Sequence, residues 1–185
     1  MLKSQINPHF FFNTLNNLYS LTLDNSNQAS DVILKLSDLM RYTIYEGKKQ
    51  QVPLEQEMAC LDNYLSLQTI RLKRPVDISF TKEILDPQLQ VPPLLFLTFV
   101  ENAFKHGVNT FREGAFVDII LRSSATHLYF SVHNNYEASA RPVGGGSGLE
   151  NIRRRLKLLY PDGQHRLEIV DHDPGFNVQL EIQLK

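Results

Sequence analysis

A change in the rhythm of apolar residues near residue 50 constrains this chain more than any other feature. Before it, Phe11, Leu15 and Leu18 fall at i, i+4 and i+7. After the turn-forming run Asp24, Asn25, Ser26, Asn27, a second helical stripe follows in Ala29, Val32, Ile33, Leu36, Leu39 and Met40. Two short helices with one apolar stripe each enclose little surface, so this hairpin is expected to join a second copy in a four-helix bundle, or to lean on another domain. A homodimer is the economical solution. The polar run from Gly47 to Gln51 breaks the pattern and sets the expected division into domains 1–47 and 48–185.

Beyond Val52 the elements alternate. Leu54, Met58, Leu61 and Leu65 mark a helix; Val76, Ile78 and Phe80 alternate as a strand; Pro92 and Pro93 open a further helix through about His106. Phe116 to Leu121 and the alternating Leu128, Phe130, Val132 predict a hairpin, and Leu149, Ile152, Leu156, Leu159 a helical stripe. Leu167 with Ile169, then Phe176, Val178, Leu180, Ile182 and Leu184, alternate to the end. Helices on one side of a mixed or antiparallel sheet follow, an α+β sandwich.

Several function classes are excluded early. The net charge of -1 gives no global pull toward nucleic acid or anionic lipid. The one local basic cluster, Arg153, Arg154, Arg155 and Lys157, reads as a solvated helix face. The single cysteine, Cys60, rules out an internal disulfide framework and most cysteine-based metal sites. No apolar run approaches the roughly 18 to 20 residues a membrane span needs, and the start lacks the basic-then-apolar order of a signal peptide. Because Met1 stands directly before a segment already in helical rhythm, the chain is expected to be the cytoplasmic piece of something longer.

His9 needs an explanation of its own. It follows Pro8 and precedes three phenylalanines, yet in a helix it shares a face with Asn13, Asn16 and Ser20, a polar stripe. The exposed reading therefore prevails over the core reading. Asn7 and Pro8 suit an N-cap and first helical residue, or a kink in a helix arriving from upstream; both leave backbone N–H groups free near the imidazole. Such a place favours negative charge, and a neutral imidazole is a nucleophile.

The runs LKSQINPHFFFNTLNNL, LSDLMRYTIY, PPLLFLTFVENAFKHG and GSGLENIRRRLKLLY occur in this order across nearly the whole chain. Together they resemble the LytS-type sensor histidine kinases. The resemblance implies that His9 is the phosphoacceptor, that residues 1–47 form a dimerisation and phosphotransfer hairpin, and that 48–185 is a GHKL (Bergerat-type) ATP-binding sandwich. It further implies ATP and Mg2+ as cofactors, a response regulator receiver domain as partner, and attachment to an inner membrane only through an upstream sensor region.

The site residues are read on that basis. Glu101, Asn102, Lys105 and His106 share one predicted helix, where a carboxylate, a carboxamide and an ammonium lie three and four residues apart; an ordinary Glu101–Lys105 ion pair fits the same spacing. By resemblance, Asn102 holds magnesium and Lys105 pairs with phosphate oxygens. Glu101 is the candidate for activating His9, since Phe10 stands where several other histidine kinase families place an acid. Gly144, Gly145, Gly146 and Gly148 lead into a helix expected at Leu149, like the family's ATP lid, which would span 135–147. One departure matters. Where many members read Asp-Asn-Gly, this chain reads Asn134, Asn135, Tyr136 after His133. The amide oxygen of Asn134 can accept from the adenine amino group without charge assistance, at a cost on the order of 1 kcal/mol. ATP binding is expected to be weak. Two alternatives remain open: a pseudokinase or docking module with little ATP turnover, and a GHKL ATPase without phosphotransfer.

Overall fold

Pro8 opens the first helix, its fixed φ suited to a first turn, and α1 runs Pro8–Leu23. The structure, a computed structural model, describes residues 8–23, 28–72, 75–108, 114–135, 147–172 and 175–184. After α1 come α2 (Gln28–Tyr45), a 3-10 turn at Glu46–Lys48, β1 (Val52–Pro53), α3 (Leu54–Arg71), β2 (Asp77–Glu83), β3 (Gln90–Val91) and α4 (Leu95–Ala103). A π-turn at Phe104–Val108 extends α4, followed by β4 (Phe116–Ser123), β5 (His127–Asn135), α5 (Ser147–Leu159), β6 (His165–His172) and β7 (Gly175–Gln183). Packing divides the chain into two units: residues 1–73 with 88–97, and residues 74–87 with 98–185.

In the first unit, α2 packs on both α1 and α3, and β1 pairs antiparallel with β3. The inward face of α1 is set by Phe10 and Thr14, with the Thr14 hydroxyl donating to the Phe10 carbonyl at 2.9 Å. The Phe10 ring stands 5.0 Å from the ring of Tyr64 on α3. This differs from the expected stripe, for Leu15 is 47% exposed. On α2, Val32, Leu36 and Leu39 are buried as expected, while Ile33 and Met40, on the same predicted stripe, stay 46% and 41% exposed. The stripe is wider than a single chain can cover. Glu55 and Glu57 lie in the first turn of α3, where carboxylates complement the helix dipole.

The second unit is built on a five-stranded sheet of order β2-β4-β5-β7-β6, with β2 parallel to β4 and every other pair antiparallel. The expected mixed sheet is present, and its strands carry the predicted alternation. One face presents Val117, Ile119 and Leu121, Leu128, Phe130 and Val132, and Val178, Leu180 and Ile182, all buried. Phe99 of α4 meets Phe130 at 5.8 Å between ring centroids, and Ile152 and Leu156 of α5 are buried. Arg153, Arg154 and Lys157 are exposed, the solvated face expected of the basic run. Apolar alternation in the strands thus places the C-terminal end of β5 beside the extension of α4.

Candidate functional site

The helix expected through His106 is α-helical only to Ala103; Phe104 to Val108 form a π-turn. Glu101 and Asn102 therefore sit in the last α-helical turn, and Lys105 and His106 on the wider turn after it. The extra residue changes the simple three-and-four spacing argument, because the faces no longer follow α-helical periodicity. Lys105 is exposed, whereas His106 is half-buried. Burial holds the His106 imidazole below its usual pKa, and the neighbouring Lys105 ammonium adds to the effect.

The π-turn packs against β4 and the end of β5. Gly107 makes that approach feasible. A Cβ there would lie 2.2 Å from Asn134 Nδ2 and 2.7 Å from the Asn135 carbonyl oxygen, closer than any side chain allows. Asn134 is 1% exposed. Its Nδ2 donates to the Asn135 carbonyl at 2.9 Å, while its Oδ1 is buried without a hydrogen-bond partner. Asn135 has a bracing role: its Oδ1 accepts from Phe116 N at 3.1 Å and its Nδ2 donates to the Gly114 carbonyl at 2.9 Å, fixing the entry to β4.

A buried acceptor left open is expensive, on the order of 1 to 3 kcal/mol. Asn134 Oδ1 fits the exocyclic amine of adenine, which is a donor. On α4, Asn102 Nδ2 is likewise buried without a partner, a donor suited to a phosphate or ribose oxygen. The side-chain oxygen of Asn102 is the chemistry magnesium takes. Among the described residues no group of three His, Cys, Asp or Glu side chains gathers to hold a metal, so a magnesium ion here would draw its remaining ligands from phosphate oxygens and water. The residues present fit Mg-ATP.

Other predicted residues are less fully placed. The backbone of His9 is in the first turn of α1; its side chain lies outside the described residues, as do Gly144, Gly145 and Gly146 and nearly all of the expected lid. α5 begins at Ser147 rather than Leu149, so Gly148 and Leu149 are inside its first turn. Sequence reasoning overlooked Gly107 and the bracing role of Asn135. A signal existed for the first, since a glycine closing FKHG directly after a helix marks a close approach.

A mixed sheet with helices on one face, following a helical hairpin, is the α+β architecture of GHKL-type histidine kinase domains. A family model described as histidine kinase matches residues 1–76. Sensor histidine kinase/phosphatase LytS of Staphylococcus aureus (strain Mu50 / ATCC 700699) is 31% identical over 173 residues, 86% of this chain and 30% of that protein. The histidine kinase domain of the Erythrobacter litoralis EL346 blue-light activated histidine kinase matches in fold at 17% identity, covering 96% of this chain and 93% of that one with a TM-score of 0.51. Full-length ShkA in complex with AMPPNP matches at 15% identity, 95% and 42% coverage and a TM-score of 0.51. Over 86% of its length the chain is similar to the LytS-type sensor histidine kinases, and it spans 30% of the length of the curated relatives it matches. Among the described residues no helix is long and apolar enough to cross a membrane.

Proposed function

We propose that this chain is the catalytic core of a two-component sensor histidine kinase, in which His9 accepts the γ-phosphoryl group of ATP and passes it to a receiver domain of a response regulator. Residues 1–47 act as the dimerisation and phosphotransfer hairpin, and 48–185 as the ATP-binding domain. The exposed apolar side chains of Leu15, Ile33 and Met40 support a second copy of the chain as the partner of the hairpin. A sensor region upstream supplies attachment to an inner membrane, with this portion in the cytoplasm; no direct contact with nucleic acid is part of the function.

Bound Mg-ATP supplies a transferable phosphoryl group whose developing charge the metal neutralises. Asn134 Oδ1 accepts from the adenine amine. Asn102 offers its oxygen to the metal, and Lys105 its ammonium to phosphate. Gly144, Gly146, Gly148 and Leu149 are further residues of the nucleotide site. His106, held neutral, sits beside Lys105 as a hydrogen-bonding rather than charged group. Glu101 orients the His9 imidazole or takes its proton.

The observation that supports this reading most is the buried, unpartnered Oδ1 of Asn134 against the glycine turn of the helix that carries Asn102. It favours nucleotide binding over a pure docking module, because a docking module has no use for an open acceptor in its interior. Titration of the chain with AMP-PNP, with and without magnesium, tests it. The reading predicts saturable binding in the weak range for such domains, with a magnesium-dependent part lost in Asn102→Ala. A chain that binds no nucleotide would remove the kinase reading.

A further inference from the structure

The sequence before α4, Val91-Pro92-Pro93-Leu94, offers no Ser, Thr, Asp or Asn to cap the helix, and the two prolines have no N–H to give. Leu94 holds φ at 61°, a left-handed conformation uncommon for leucine. The cap comes instead from α3. Glu57, 1% exposed, accepts from Leu94 N at 2.6 Å through Oε1 and from Phe96 N at 3.4 Å through Oε2. The same Oε1 accepts from the Tyr42 hydroxyl of α2 at 2.5 Å. One carboxylate thus ties together the last turns of α2, the first turn of α3 and the start of α4. All of these groups belong to the first unit, and α4 runs on as a single helix to Asn102 and beyond.

A buried carboxylate persists only where charge-assisted hydrogen bonds replace its water. With Tyr42 in place, Glu57 has a donor from the hairpin besides those from α4. Removing the Tyr42 hydroxyl takes one charge-assisted hydrogen bond from the carboxylate that caps α4 and loosens the tie between that cap and α2. Tyr42 also lines a cavity of about 330 Å³ bounded by Asp38, Arg41, Gln56, Cys60 and Asn63. Tyr42 is thus only partly enclosed.

We propose that Glu57 is a positioning residue for the nucleotide-binding helix, and that Tyr42, by donating to it, makes the setting of α4 depend on the position of hairpin helix α2. The function assigned to α4 rests on the kinase reading above; the joint itself does not. Glu57 touches no substrate and acts through the backbone of Leu94 and Phe96.

The experiment compares Tyr42→Phe, Glu57→Gln and Glu57→Ala with the wild-type chain by amide hydrogen exchange without nucleotide, AMP-PNP affinity and Tm. Tyr42→Phe keeps the ring and removes only the hydroxyl, so it remains informative where a Glu57 variant fails to fold. Expected is an exchange rate for the 94–97 amides about tenfold higher in Tyr42→Phe, with the dissociation constant for AMP-PNP raised several-fold and exchange in the β4–β5 hairpin unchanged. Glu57→Gln, which keeps an acceptor oxygen, is expected to fall between wild type and Glu57→Ala. Unchanged exchange at 94–97 in Tyr42→Phe overturns the proposal, and so does faster exchange with unaltered AMP-PNP affinity. If the wild-type chain binds no AMP-PNP, the kinase reading fails and exchange alone decides: a rise at 94–97 upholds the joint, and no rise overturns it.

Discussion

Gly107 and Asn134 approach so closely that a single added methyl on Gly107 would overlap the Asn134 carboxamide. This contact joins the extension of α4 to the end of β5 and aims the open Oδ1 of Asn134. Gly107→Ala is therefore expected to displace either the turn or the carboxamide. Overpacking of this kind costs about 1 to 3 kcal/mol, a Tm lower by several degrees in a chain of this size. AMP-PNP affinity should fall with it. A Gly107→Ala chain with unchanged Tm and affinity would show that the contact is slack.

Removing the acceptor tests the adenine assignment separately. In Asn134→Ala the adenine amine loses its partner, and ATP affinity is expected to drop about tenfold, equivalent to roughly 1.4 kcal/mol. The wild-type chain should also discriminate against GTP, whose guanine presents an acceptor where adenine presents a donor. Competition of ATP and GTP for the chain, measured by displacement of a fluorescent nucleotide, checks both. A submicromolar dissociation constant for ATP would contradict the weak binding expected of an uncharged acceptor.

How far the sequence could be read depended on what the local pattern controls. The strands were legible because β4 and β7 bury one face, so Val117, Ile119 and Leu121 alternate with partly exposed neighbours and the period of two survives. The helix faces were less so. On α2 the apolar residues exceed what one chain buries, and pattern alone does not separate Val32, Leu36 and Leu39 from Ile33 and Met40. On α1, Phe10 leads the inward face because Tyr64, distant in sequence, provides its partner; the side chain of Phe11, on the expected stripe, lies outside the described residues. Asn134 stood out in the sequence as following a strand expected to end at Val132, whereas β5 runs on through it to Asn135. Glu57 was not, since a buried acid that caps a helix across tens of residues leaves no local signature.

His106 gives a prediction about pH. Its folded-state pKa lies below the ordinary histidine value through burial first and Lys105 second, so the folded chain prefers the neutral imidazole. Its contribution to stability is present above about pH 6.5, the unfolded value, and is lost as pH falls through the lower folded value. NMR titration should find the His106 midpoint below 6.5. Bound nucleotide phosphate should raise it, as an anion beside the ring favours the imidazolium.

Tyr42 predicts the opposite side of the pH range. Burial, then the Glu57 carboxylate, raises its phenol well above the ordinary value. Stability from this group is present below about pH 10, the unfolded value, and declines above it, because the unfolded chain ionises where the folded one does not. Urea midpoints at pH 8 and pH 10.5 should therefore differ more in wild type than in Tyr42→Phe. Equal differences would mean that the hydroxyl is not held as described.

The apolar side chains left open on the hairpin predict an assembly. The 21.3 kDa chain is expected to sediment as a dimer, and Ile33→Glu with Met40→Glu to sediment as a monomer with its β-sheet signal intact. A monomeric wild-type chain at micromolar concentration would assign that face to another partner.

The measurement that decides the central claim is incubation of the chain with γ-labelled ATP and magnesium beside His9→Gln, followed by acid and alkaline treatment. Acid-labile, base-stable label on the wild-type chain and none on the variant is the expected result. Label that persists in His9→Gln, or a wild-type chain that binds nucleotide and takes up no label, would contradict phosphoryl transfer to His9.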